Sequence, residues 1–255
     1  MPVVQQNGLS FHTQAFGAGP PAVMLHGLLI GSMTTWYFGA APRLARSHRV
    51  LLYDLRGHGK SARARRGYDL ATMVRDLDAL LGDFTDEPAT LVGHSYGALT
   101  ALRFAMLHPE RVARLVLVEA PLPPLRLPEL DHFLRRPRGE MESALPDEIR
   151  HALRRGGRQA LRLVDQLAFL AAESSLLADL DAEPEIGDDE LAALACPLLA
   201  IYGNRSSCRP AGDRLRRVVP GAQLVLLPGG HFLPTEAAEA LTHEIVRFCA
   251  GDVDG

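Results

Sequence analysis

The feature that most constrains the fold is a series of short, mostly apolar segments, each stopping at a polar or glycine turn. Ala22–Leu25 stops at His26-Gly27, Val50–Tyr53 at Asp54, Thr90–Val92 at Gly93, and Leu115–Val118 at Glu119. Leu198–Tyr202 stops at Gly203, and Gln223–Leu227 at Pro228-Gly229-Gly230. Segments apolar on both faces suit strands of a parallel sheet covered on both sides. Leu9–Phe16 alternates instead, as a surface strand does, and ends at Gly17-Ala18-Gly19-Pro20. Helical patterns lie between them. Leu70, Val74, Leu77 and Leu81 form one stripe, 97–107 and 213–218 read as helices, and Leu241, Ile245 and Phe248 line a helix over 237–249. This alternation predicts an α/β fold with a mostly parallel, doubly wound sheet.

One stretch breaks the rhythm. Residues 121–190 carry no strand pattern, and 130–135, 146–155 and 159–180 read as helices separated by Pro137-Arg138-Gly139 and Gly156-Gly157. The expected organisation is a core of residues 1–120 and 191–255, with a helical lid inserted over 121–190.

Composition narrows the function classes. With 255 residues, 47% of them hydrophobic and 22% charged, the chain can bury the core of one large α/β domain. A net charge of −3 lacks the basic excess that nucleic acid or an anionic membrane would call for. Cys196, Cys208 and Cys249 are scattered and odd in number, which suits free thiols in a reducing compartment. Met1–Gln6 has no basic stretch followed by an apolar one, and no apolar run approaches the ~20 residues that span a bilayer. The expectation is a cytoplasmic protein with no membrane span and no nucleic-acid partner. Its oligomeric state is left open.

Gly93-His94-Ser95-Tyr96-Gly97 falls between the 90–92 strand and the helix after it. A serine at the apex of such a turn exposes its Oγ, and glycine two positions to either side lets strand and helix approach without a Cβ clash. Ser95 is therefore the expected nucleophile. Attack on an acyl carbon creates an oxyanion, which needs preorganised N–H donors. The expected donors are the backbone N–H groups of Tyr96, at the helix start, and Leu28, in the loop after Val23-Met24-Leu25. His26 is read mainly as a brace for that loop. His26, Trp36, Phe133 and Phe232 are the candidate pocket residues.

With these residues in place the chain resembles the α/β-hydrolase superfamily, in its serine esterase, lipase and thioesterase-like branch. The matching segments are His26-Gly27, Asp54-Leu55-Arg56-Gly57-His58-Gly59-Lys60-Ser61, Gly93–Gly97 and Gly229-Gly230-His231-Phe232, in the family's order. The resemblance implies a lid after the sixth strand. It also implies a structural loop at 54–61 with Asp54 and Arg56 as buried partners, and a general base at His231, between the last strand and the last helix. Such a base takes the serine proton and later returns it to the leaving group. Among the ten histidines, His58 and His94 also flank the site region, but neither lies in that C-terminal loop.

The acid departs from the family's common G-x-x-D, which here reads Gly203-Asn204-Arg205-Ser206, with no further carboxylate until Asp213. Some members of the superfamily, haloalkane dehalogenases among them, carry the acid after the sixth strand, where this chain has Glu119. Glu119 is the expected acid; Asp213, or no acid at all, are the alternatives.

A serine nucleophile argues against dehalogenase and epoxide-hydrolase chemistry, in which a carboxylate attacks carbon. Carboxylic ester, lactone or thioester hydrolysis and carbon–carbon bond hydrolysis remain. So do thioesterase or acyl-transferase work on carrier-bound chains, and a non-catalytic ligand-binding role. The expected partner is a small-molecule acyl substrate. No cofactor and no metal are expected.

Overall fold

Side chains of the central strands divide alternately between two apolar clusters. Val23, Leu25, Leu115 and Leu117 join the cluster on one sheet face, and Ala22, Met24, Val116 and Val118 join the other. Period-two burial on both faces is why these segments are apolar throughout. The architecture comes from a computed structural model that describes residues 3–123 and 157–251, together with Arg136, Glu140, Ser143 and His151.

Eight strands form one sheet: β1 (Val3–Gln6), β2 (Leu9–Phe16), β3 (Pro21–Leu25), β4 (Arg49–Tyr53), β5 (Ala89–His94), β6 (Val112–Val118), β7 (Leu198–Gly203) and β8 (Gln223–Leu227). Their order is β1-β2-β4-β3-β5-β6-β7-β8. β2 runs antiparallel to both of its neighbours, and the other pairings are parallel. The carboxyl ends of the parallel strands therefore open at one edge of the sheet, where ligand sites of such folds lie.

Helices α1 (Thr34–Tyr37) and α2 (Ala40–Leu44) follow β3, α3 (Leu70–Phe84) follows β4, and α4 (Tyr96–Leu107) follows β5. Between β6 and β7 lie α5 (Arg158–Ala172), α6 (Leu176–Asp181) and α7 (Asp188–Ala192). Helix α8 (Arg209–Val218) precedes β8, and α9 (Leu233–Glu236) and α10 (Ala238–Ala250) follow it. No described helix is long and apolar enough to cross a membrane.

The expected helix over 159–180 is two helices, because serines interrupt it. Ser174 Oγ donates to the Leu170 carbonyl at 2.6 Å, and Ser175 Oγ donates to Asp179 Oδ2 at 2.5 Å. Such local bonds compete with a continuous helix. Helix α8 begins at Arg209, so Asp213 lies within it rather than at its start. The helices expected over 130–135 and 146–155 lie outside the described residues, His151 apart.

Candidate active site

Strand β5 delivers Ser95 to the sheet's carboxyl edge in a strained conformation, φ 55° and ψ −124°. Its N–H donates to the Val118 carbonyl at 2.9 Å, and its own carbonyl accepts from the Ala98 and Leu99 N–H groups. The turn closes only because of its glycines. A Cβ on Gly93 would lie 2.4 Å from Ala98 Cα, and one on Gly97 would lie 2.4 Å from the His26 carbonyl oxygen.

His231, after β8, faces Ser95 with Nε2 2.9 Å from the serine Oγ. Its Nδ1 is 3.2 Å from Glu119 Oε2. An ionised carboxylate only accepts, so Nδ1 carries the proton and Nε2 is left to accept from Ser95 Oγ–H. Cys208 Sγ is a further neighbour of Nδ1, at 3.6 Å. Burial opposes charge on this ring, but its contacts with Cys208 and Glu119 outweigh burial and raise the His231 pKa to about 9.

Glu119 directly follows β6 and has no exposed surface, at φ 56°. A buried carboxylate needs compensating donors. Besides His231, the Gly203 N–H and the Ser206 hydroxyl donate to it. Asp213 is instead on the half-exposed face of α8, 3.7 Å from Arg209. The geometry thus brings Ser95, His231 and Glu119 together and leaves Asp213 elsewhere.

Tyr96 is the first residue of α4, so its N–H is among those at a helix start that no helical carbonyl satisfies. Its ring is anchored by a 2.7 Å bond from the hydroxyl to the Tyr68 carbonyl. Leu28 lies in the loop that crosses the nucleophile: a Cβ on neighbouring Gly27 would lie 3.0 Å from Ser95 Cβ.

Two candidate pocket residues are corrected. His26 is fully buried, with Nδ1 2.7 Å from the Gly27 carbonyl and Nε2 accepting from the Leu55 N–H at 2.9 Å. Both ring nitrogens are engaged, and the ring braces two loops instead of meeting substrate. Trp36 is 1% exposed and packs in the core beneath the sheet, its Nε1–H donating to the Leu25 carbonyl at 2.9 Å. Phe232 is 44% exposed, its ring edge-on to His231 at 5.5 Å. Phe133 lies outside the described residues.

Two residues of the site were not singled out as such from the sequence. Ser206 supports the Glu119 carboxylate. His94 Nε2–H donates to the His231 carbonyl at 2.9 Å and so braces the loop that carries His231. Burial first, and then the neighbouring His231 charge, keeps the His94 ring neutral, with its pKa down at about 3. Its position beside the nucleophile was the available signal.

Glu119, Cys208 and His231 also hold potential metal-ligating atoms within 4.8 Å of one another, the single such group among the described residues. The Glu119 oxygens there are already engaged by the three donors named above.

In the Asp54–Ser61 segment Asp54 and Arg56 are buried and paired, as the resemblance implied. Arg56 grips Asp76 through two bonds of 2.6 and 2.7 Å, and Asp54 lies 2.9 Å from His12 and accepts from the Met33 N–H at 2.7 Å.

Comparison with known proteins identifies the family and the fold. The family described as alpha/beta hydrolase fold matches residues 20–163, and the chain belongs to that family. It is 30% identical over 249 residues to the dihydrolipoyllysine-residue acetyltransferase component of the acetoin cleaving system of Pseudomonas putida. That match covers 90% of this chain, which spans only 63% of the relative's length. Identity to a pimeloyl-[acyl-carrier protein] methyl ester esterase of Aeromonas hydrophila is 31% over 245 residues, covering 86% of each chain. Among solved structures, the enol-lactonase from Burkholderia xenovorans LB400 superposes with a TM-score of 0.79 at 23% identity, over 98% of this chain and 100% of that one.

Proposed function

We propose that the chain is a serine hydrolase that cleaves a carboxylic ester, lactone or thioester through an acyl-Ser95 intermediate. The observation that carries this reading is the hydrogen-bonded line from Ser95 Oγ to His231 Nε2 at 2.9 Å and from His231 Nδ1 to Glu119 at 3.2 Å. In the first step Ser95 Oγ bonds to the acyl carbon while its proton passes to His231 Nε2. Glu119 holds the ring's orientation and stabilises the imidazolium. The N–H groups of Tyr96 and Leu28 stabilise the oxyanion. The imidazolium returns its proton to the leaving group as that bond breaks. Water then attacks the acyl-serine with His231 again as base, releasing the acid and free Ser95.

The same reading makes the 121–190 insertion a lid, with Phe232 at the mouth of the site. A carrier-bound acyl substrate is the second reading, favoured by the likeness to the pimeloyl-[acyl-carrier protein] methyl ester esterase over 86% of both chains. The non-catalytic reading loses its motive, because a carboxylate does sit beside His231 although position 206 holds none.

A fluorophosphonate probe tests the proposal. It should label the parent at Ser95 and leave Ser95→Ala unlabelled, and an inert parent would refute it. A panel of p-nitrophenyl esters, lactones, acyl thioesters and an acyl-carrier methyl ester then identifies the substrate class.

A further inference from the structure

The loop carrying Leu28 is held by two side chains from outside it. Leu29 has φ 72°, a left-handed conformation that a leucine does not keep by its own preference. Its N–H donates to His58 Nε2 at 2.8 Å. His58 Nδ1 lies 2.8 Å from the Arg56 carbonyl, so Nδ1 carries the proton and Nε2 is the acceptor. The Leu29 carbonyl accepts from Gln166 Nε2 at 2.5 Å, and Gln166 Oε1 accepts from the Gly59 N–H at 2.9 Å. Gln166 is 9% exposed and comes from α5, far away in sequence. The Leu29 side chain is buried in a cluster with Tyr68 and with Val164, Leu167 and Leu170 of the same helix.

We propose that Gln166 is a positioning residue for the oxyanion hole: it pins Leu29 in its left-handed conformation and so aims the adjacent Leu28 N–H at the developing oxyanion. The proposal rests on the serine-hydrolase reading above. Helix α5 then does more than cover a pocket. It completes the hole, fixing the Leu29 carbonyl while His58 fixes the N–H of the same residue. The Asp54–Ser61 segment acquires a part in catalysis as well, since His58 and Gly59 are the other two points of the same clamp.

The test compares Gln166→Leu with the parent on a short-chain p-nitrophenyl ester. Leucine preserves much of the volume and removes both bonds. Losing a whole oxyanion donor typically costs about 10²–10³ in kcat, so a misdirected one should lower kcat by about tenfold or more. KM should stay within about twofold, because an interaction made only in the transition state is lost. Affinity for a trifluoromethyl ketone, whose serine adduct carries the oxyanion, should fall in parallel with kcat/KM. A merely structural role would lower the melting temperature without that parallel loss. Gln166→Met keeps the length and flexibility of the side chain and likewise removes both bonds. It should show the same kinetic defect, and it carries the test if the leucine variant fails to fold. Parental kcat in either folded variant overturns the proposal, as does a raised KM at unchanged kcat, or an unchanged ketone affinity. In those cases the parent still labels with fluorophosphonate and the serine-hydrolase reading stands. A parent that neither labels nor turns over ester overturns both.

Discussion

The Ser206 hydroxyl donates to Glu119 Oε2, the same oxygen that His231 Nδ1 faces at 3.2 Å. Position 206 is where the resembled family commonly carries its acid, so the two acid positions converge on one point from adjacent strand ends. Glu119→Gln should lower kcat by about 10³–10⁴, as neutralising a triad acid does. Adding Ser206→Asp to that variant should recover part of the loss, because a carboxylate is returned to the same neighbourhood. Asp213→Asn should change kcat little. Steady-state kinetics on the three variants check this, and the assignment of Glu119 fails if Glu119→Gln keeps near-parental turnover.

The pH profile should follow His231. As the proposed base, His231 must be neutral to accept the Ser95 proton, so kcat/KM should rise with pH and level off above its pKa of about 9. Burial lowers that pKa, and the contacts with Cys208 and Glu119 raise it. Cys208→Ala removes one raising contact and should move the rising limb to lower pH. A limb that stays in place would show that the thiol does not tune the base.

The Arg56–Asp76 pair is nearly sealed from water, with side-chain exposures of 6% and 3%. Removing one partner leaves an uncompensated buried charge. Asp76→Ala should therefore destabilise the fold by about 3–5 kcal/mol, read as a lower urea midpoint. A midpoint within experimental error of the parent's would contradict this.

At Gly97 the constraint is the close approach of two backbones, since a Cβ would also lie 2.8 Å from the Leu25 carbonyl oxygen. Gly97→Ala should displace the nucleophile turn against the oxyanion loop. A misplacement of about 1 Å can cost about 10²-fold in rate. Near-parental kcat in this variant would mean that the turn yields without moving Ser95.

The parallel strands were legible because both sheet faces are buried, which makes the apolar run and the strand one and the same signal. That Ser95 and His231 would meet at one edge of the sheet was legible from the glycine-flanked turn and from chain order. Strand β1 was not, since Val3–Gln6 is a half-exposed edge without clean alternation. Trp36 was open to misreading because an aromatic after β3 can face the pocket or the core, and only packing decides. Gln166 did leave a trace: it lies near Leu163, Leu167 and Leu170 at helical spacing, a polar residue bordering an apolar face. Its partners, Leu29 and Gly59, are set by the fold and not by any local spacing.

Among the described residues, four non-glycines have positive φ: Asn7, Leu29, Ser95 and Glu119. Asn7 turns a hairpin, and the other three are in the proposed oxyanion loop and at the proposed nucleophile and acid. Each such conformation costs roughly 1–3 kcal/mol in a residue with a Cβ, and glycine would relieve it, but at 29 and 119 the loss of a buried side chain outweighs that gain. A library screened for heat resistance alone should therefore enrich glycine at 95 and return sturdier proteins that have lost turnover. Position 95 is where selection for durability and selection for activity pull this chain in opposite directions.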